Sequence, residues 1–272
     1  MRLTREQAAD GLHDQGSREI LKQVGLKSVS FLKELFIADE DAARIHGSFS
    51  KLARHFTGPI VVTGGIALGW HLLRNGVRRE KRHFNDIDLV VEGLSGLRAT
   101  LSQDFLVRHF HPHRERGKIL LMLVDEEHGT RIDIFTPSAG RLDERLTDIA
   151  IGDTSCQVVS AEDLLVKLLG VIYPATLGES VEPKYIEHFN ALHTMADLDV
   201  AREVWRECRK ESQRLEFDEA AEVVRQNILA DAGLLQESAY SQDITQTCPW
   251  CCESKLFPLA PLSRIYRVLG YV

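Results

Sequence analysis

The chain contains no run of about 18 uninterrupted apolar residues, the length a membrane-spanning helix requires. Its opening stretch, MRLTREQAADGLHDQG, has no apolar core of signal-peptide length. Both absences lead to the expectation of a cytoplasmic protein with no membrane partner. Cysteine is scarce: there are five, an odd number, and three of them cluster at Cys248, Cys251 and Cys252. That usage suits a reducing compartment better than a disulfide framework. Excess positive charge is missing as well. The formal net charge of −7 argues against bulk attraction to nucleic acid or an anionic membrane, so such binding would have to come from a local basic patch. There is no internal repeat and no low-complexity tract. A hydrophobic content of 44% with 27% charged residues excludes disordered and collagen-like classes, and 272 residues suffice for one large domain or two ordinary ones.

The texture along the chain changes twice. From about Arg18 to His55, apolar residues such as Ile20, Leu21, Val24, Phe31, Leu32, Leu35 and Phe36 recur at helical spacing. Strand-like runs follow at Pro59 to Thr63, Asp86 to Val91, Phe105 to Phe110, Lys118 to Val124, Arg131 to Phe135 and Cys156 to Val159. The polar link Asp125 to Gly129 between two of them reads as a hairpin turn. After Ser160 the helical pattern returns and lasts to about Leu235. Ser160 and Asp163 form a capping box with Asp in place of Glu, opening the run DLLVKLLGVI. The expected architecture is α/β (α+β): a mixed sheet flanked by helices, followed by a helical C-terminal region.

Within the second strand, HFNDIDLVV at 83 to 91 sets two carboxylates in an apolar run. A strand projects residues i and i+2 from one face, so Asp86 and Asp88 stand together, about 6 to 7 Å apart at the backbone. Like charges at that range repel, and a divalent cation reverses the sign. The competing reading is a solvent-facing edge strand with incidental acids. Two further segments bear on the choice. VVTGGIALGWHLL is a strand, a tight Gly64-Gly65 turn and an apolar helix, which lets backbone approach a ligand and aims the first helical N–H groups at an anion. RIDIF, at 131 to 135, is an apolar strand with Asp133 at its centre.

Taken in this order, TGGIAL at 63 to 68, NDIDLVV at 85 to 91 and RIDIF at 131 to 135 resemble the nucleotidyltransferase superfamily, with its polymerase-β-like sheet, and within it the AbiEii-like and MenA-like toxin branch. The resemblance spans roughly residues 58 to 170. Together with the changes of texture along the chain, it divides the sequence into an N-terminal helical segment at 1–57, a catalytic domain at 58–160, a helical domain at 161–245 and a cysteine-containing tail at 246–272. It further implies transfer of a nucleoside monophosphate from a nucleoside triphosphate to a hydroxyl, with pyrophosphate released. Asp86, Asp88 and Asp133 would be the catalytic and metal-binding acids for Mg²⁺, two ions in all, with Asp133 also accepting the proton of the incoming hydroxyl. Gly64 and Gly65 would hold the phosphates through backbone N–H groups, with the Thr63 hydroxyl as an extra donor. Lys167 would reach the departing pyrophosphate; its plainer reading is a lysine snorkelling from the edge of an amphipathic helix. The acceptor would be RNA such as a tRNA end, a protein side chain, or a small molecule such as an aminoglycoside. The alternative is a catalytically silent relative that binds nucleotide, or an antitoxin partner within a toxin and antitoxin pair. Two departures stand out: a long, basic connection from Gly65 to Asp86, and KYIEHFNAL at 184 to 192 where related toxins carry a Lys followed by an Asp-rich helix.

Other features carry weaker chemistry. His109, His111 and His113 would share a strand face, but Pro112 interrupts it, and an edge strand running into a loop is the simpler reading. Arg202, Arg206 and Arg209 alternate with Glu203, Glu207 and Glu211 on a helix, the pattern of a solvated face with i,i+4 pairs or of an RNA-contacting surface. The cluster Arg74, Arg78, Arg79, Lys81 and Arg82 is the better basic candidate for nucleic acid or triphosphate. Cys248, Cys251 and Cys252 make half of a Zn²⁺ site, since four ligands are normal and adjacent cysteines rarely share an ion. SRIYRVLGYV at the end reads as a short amphipathic helix.

Overall fold

The computed structural model describes residues 32, 35, 37–77, 79–84, 86–110, 117, 119–175, 182–208 and 215–230. The tail cysteines, the final SRIYRVLGYV segment, His111, His113, Arg78 and Arg209 therefore lie outside the described residues, as does the stretch before Leu32.

The mixed sheet expected from the strand-like runs is present. Its strands are β1 (Ile60–Val62), β2 (Asp86–Val90), β3 (Leu106–Phe110), β4 (Ile119–Asp125), β5 (Thr130–Phe135), β6 (Thr147–Ile151) and β7 (Thr154–Val158). They lie in the order β3-β4-β5-β2-β1-β7-β6. β2 runs parallel to β5 and β1 parallel to β7, and the remaining neighbours are antiparallel. β2 is central rather than an edge, because β1 and β5 cover both of its hydrogen-bonding sides. The Asp125 to Gly129 link is the β4–β5 hairpin, with Gly129 at φ +61° supplying the left-handed residue. β6 was not legible as a strand from its apolar content alone. Gly152-Asp153 between Ile151 and Thr154 is nevertheless a two-residue hairpin signal, and Gly152 sits at φ +65°.

The helices are α1 (Asp39–Leu52), α2 (Gly64–Arg74), α3 (Ala161–Ala175), α4 (Pro183–Met195), α5 (Leu198–Cys208) and α6 (Phe217–Ala230). α2 packs on β2, and α3 packs against α4, α5 and α6. Its start follows the capping reading: the Asp163 N–H donates to the Ser160 hydroxyl at 3.1 Å. The Asp163 carboxylate accepts from that hydroxyl at 2.8 Å and from the Arg145 guanidinium, so the box is closed through the side chains. The core is continuous from α1 through both sheet faces to the later helices, with Phe49, Ile87, Ile132, Leu165, Phe189 and Trp205 fully or almost fully buried. Among the described residues no helix is long and apolar enough to cross a membrane.

The charged face of α5 differs from the expected i,i+4 ladder. Arg202 pairs with Asp218 of α6 and with Asp199, and Glu207 accepts from Arg141 and Arg145. Apart from the Asp199 pair within α5 itself, these contacts tie the helix to neighbouring elements, whose packing brings Asp218, Arg141 and Arg145 within reach of its charged side chains.

Candidate active site

Parallel pairing of β2 with β5 sets the geometry. Asp88 lies opposite Asp133, and Asp86 opposite Arg131, while Ile87 and Ile132 are turned to the other face and fully buried. One carboxylate oxygen from each of Asp86, Asp88 and Asp133 lies within 4.8 Å of the other two. Sequence reasoning singled out these three acids, and the fold brings them together.

The diglycine turn closes one side. Gly64, at φ +62°, is approached so closely by Asp88 that a Cβ there would sit 1.8 Å from its Oδ2. Glycine is therefore required twice, by backbone conformation and by space. The Gly65 N–H donates to the Asp88 carboxylate, and a Cβ at Gly65 would meet the Phe84 ring at 2.4 Å. Thr63 is buried at the N-cap without a side-chain capping bond. Lys167 of α3 places Nζ 4.0 Å from the centre of the Phe135 ring. Burial pulls its pKa below the usual lysine value, while the fields of Asp88, Asp133 and Asp86 pull it back up.

The three acids are crowded together against their own electrostatics. Burial raises Asp133 to a pKa of about 7, with Asp88 and Asp86 adding to the rise against the opposing pull of Arg131. Burial, then the charge of Asp86, lifts Asp88 to about 6. Among the described residues, Asp133 Oδ1 is buried with no hydrogen-bond partner. A second acidic group, Asp125, Glu127 and His128, has a similar spread of ligand atoms. Its centre is already satisfied: Asp125 accepts from Lys51 at 2.6 Å, Ser48 at 2.9 Å and His128 Nδ1 at 2.8 Å. These bonds hold the Asp125 carboxyl below its ordinary pKa despite burial. An orphaned oxygen and raised pKa values in one cluster, against saturated oxygens and a lowered one in the other, make Asp86, Asp88 and Asp133 the group that fits a divalent cation.

Several residues at the site escaped sequence reasoning. Arg131 pairs with Asp86 Oδ2 and, at 3.1 Å, with Asp133 Oδ2. It shares a face with Asp133 by the same i,i+2 rule that groups Asp86 with Asp88, so its position was available from the sequence. Asp41 and Arg44 of α1 had no comparable signal. Asp41 accepts the Phe84 N–H at 2.9 Å, while Arg44 donates to the carbonyls of Phe84 and Gly129. One helix thereby clamps the entries to both acid-bearing strands. The start of α4 also faces the acids: Asp86 raises the pKa of Lys184, and both Asp88 and Asp86 raise that of Tyr185, after the larger effects of their immediate surroundings.

The described residues of the basic connection are engaged by elements other than the two acid-bearing strands. Arg74 stacks over Trp70 at 5.0 Å and Lys81 pairs with Asp39 at 2.6 Å. Arg79 and Arg82 dock on α4, where Arg82 Nη1 donates to His188 Nε2 at 2.9 Å. Burial, then Arg82, Arg79 and Lys184, push the His188 pKa down to about 3. The folded state therefore keeps this imidazole neutral, and its contribution to stability is complete above the unfolded pKa near 6.5 and is lost as pH falls below it. Between pH 8 and pH 5 the loss is expected to be about 2 kcal/mol. Denaturant melts of the protein and of His188→Gln at the two pH values should show this difference in slope; parallel curves would assign the pH dependence elsewhere.

No family model matches the sequence, and no curated protein matches it. Two solved structures are similar to it. One is the solution structure of the antibiotic-resistance factor ANT(2'')-Ia, at 15% identity and a TM-score of 0.40, covering 70% of this chain and 97% of that one. The other is the crystal structure of an antigenic nucleotidyltransferase-like protein from Paracoccidioides brasiliensis, at 17% identity and a TM-score of 0.40, covering 76% and 95%.

Proposed function

We propose that this chain is a Mg²⁺-dependent nucleotidyltransferase that moves a nucleoside monophosphate from a nucleoside triphosphate to a hydroxyl acceptor. The observation that carries the reading is the convergence of three carboxylates within 4.8 Å on adjacent strands, with one oxygen orphaned, beside the glycine start of α2. Asp86, Asp88 and Asp133 would hold the metal. When bound, Mg²⁺ neutralises phosphate oxygens, and a pair of ions aligns the attacking and leaving oxygens.

The chain's own residues supply the rest. Asp133, whose Oδ1 has no hydrogen-bond partner among the described residues, would also take the proton of the incoming hydroxyl. The Gly64 and Gly65 amides stand at the positive end of α2, where Gly65 can exchange the Asp88 carboxylate for a phosphate oxygen. The Thr63 hydroxyl stands beside them as a further donor. Lys167 offers its ammonium to the departing pyrophosphate, and its setting among three acids keeps it near them.

RNA such as a tRNA end, a protein side chain and a small molecule such as an aminoglycoside all present the hydroxyl this chemistry needs. Incubating the purified protein with each α-labelled triphosphate, Mg²⁺ and total tRNA should transfer label to RNA or to the protein itself. Pyrophosphate release without either label directs the search to small acceptors. Absence of both label and pyrophosphate with all four triphosphates and all three acceptor classes would sink the enzymatic reading.

Arg131, seated between Asp86 and Asp133, favours a second reading in which the chain binds nucleotide or an antitoxin partner without turnover. That reading calls for triphosphate binding with no pyrophosphate released. If the chain acts as a toxin of the AbiEii- or MenA-like kind, its expression arrests growth and Asp88→Ala relieves the arrest.

A further inference from the structure

Arg131 is placed where a cation would sit. Its Nη2 reaches Asp86 Oδ2 on β2 and Asp133 Oδ2 on β5, bridging two of the three carboxylates from within the cluster. The register of the two parallel strands makes this geometry: Arg131 lies directly across from Asp86 and two residues before Asp133, on the same face of the sheet. The bridge is incomplete. Among the described residues, Arg131 Nε is buried without a hydrogen-bond partner, as is Asp133 Oδ1. Arg145, by contrast, grips Asp163 through both its Nε and its Nη2. The Lys51 ammonium in the Asp125 cluster shows the finished form of such an arrangement, with the central acid fully bonded.

We propose that Arg131 is a built-in placeholder that competes with the divalent cation for Asp86 and Asp133, so that the metal loads tightly only together with a triphosphate. The inference rests on the metal-binding reading of the three acids. A bare cation has to displace a guanidinium already paired with two carboxylates, and afterwards lies next to that positive charge. A triphosphate arriving with the metal changes both conditions. Its oxygens complete the metal's coordination, and its negative charge gives the released Arg131 a new partner, for which a planar guanidinium is well suited. Metal and nucleotide are thereby coupled, each strengthening the other's binding.

Mn²⁺ titration of the full chain, followed by the loss of the free-ion paramagnetic resonance signal and corrected by the same titration of the triphosphate without protein, tests the coupling without any turnover. The wild-type protein should take up Mn²⁺ weakly alone and at least about tenfold more tightly with a non-hydrolysable triphosphate. Arg131→Gln should bind bare Mn²⁺ about tenfold more tightly than wild type and lose most of the triphosphate dependence. Should Arg131→Gln not fold, Arg131→Met carries the test, since it keeps the length of the side chain without its charge or donors and should likewise tighten bare Mn²⁺ uptake about tenfold. Equal Mn²⁺ affinity in wild type and the folded variant, with wild-type uptake evident when triphosphate is present, would overturn the placeholder and leave the metal site standing. No uptake by any of the proteins, even with triphosphate, would overturn the metal reading itself.

Discussion

Asp88→Asn is expected to lower nucleotidyl transfer by about a thousandfold or more, about 4 kcal/mol of barrier, while the metal-free protein melts no lower than wild type. The two halves of this result have one cause. Asp88 is partly buried, lies opposite Asp133 and close to Asp86, and is lifted to a pKa of about 6 by burial and by the Asp86 charge. The fold thus carries an anion that it disfavours, which makes sense for a cation ligand and not for a structural acid. Asparagine keeps an oxygen for the Gly65 N–H and fits the space beside Gly64, but brings no negative charge. Because the folded pKa values of Asp88 and Asp133 are raised, their contribution to stability is complete below the unfolded value near 4. It is lost as pH rises through about 6 to 7. The advantage of Asp88→Asn in chelator should therefore grow from pH 5 to pH 8. Steady-state turnover with Mg²⁺, paired with melting curves in chelator, checks both halves; a sharply lower melting temperature would assign Asp88 a structural role, and retained turnover would end its catalytic one.

Asp125→Ala should act in the opposite sense, leaving the chemistry of the site in place and removing about 3 kcal/mol or more of stability. Asp125 is fully buried and receives Lys51 and Ser48 from α1 and His128 from its own hairpin. Without the acid, the mostly buried Lys51 ammonium retains the Phe105 ring at 5.5 Å and Glu127, whose side chain is 71% exposed and whose attraction is screened by water. A fall of about 10 °C in melting temperature follows for a chain of this size. Glu127→Ala serves as the control and should stay within about 0.5 kcal/mol of wild type. A comparable loss from both substitutions would show that hairpin packing, and not the buried ion pair, holds α1 to the sheet.

The contrast between the two acidic clusters explains how far a sequence can be read. Both hold a carboxylate near a basic side chain, and in one dimension Asp125-Glu126-Glu127-His128 is the denser acidic run. Only the fold shows that Lys51, 74 residues away, completes the Asp125 cluster, whereas Arg131 leaves the Asp86, Asp88 and Asp133 cluster with unsatisfied atoms. Some of what was missed was legible. Arg131 obeys the same alternation that groups Asp86 with Asp88, and Gly152-Asp153 announces the β6–β7 hairpin. The Asp41 and Arg44 clamp carried no local signal, because its partners lie on two strand entries that are distant in sequence.

Alternation along a strand is a local property of the backbone, so the residues alone determined that Asp86 and Asp88 share a face, that a glycine turn opens α2 and that Ser160 caps α3. Parallel pairing of β2 with β5 is a long-range choice made by burying Ile87, Leu89, Ile132 and Ile134 together, and it alone decided that Asp133 stands opposite Asp88 with Arg131 across from Asp86. A shift of one residue in that register would turn Asp133 into the core and take the site apart, since side chains on a strand alternate between faces.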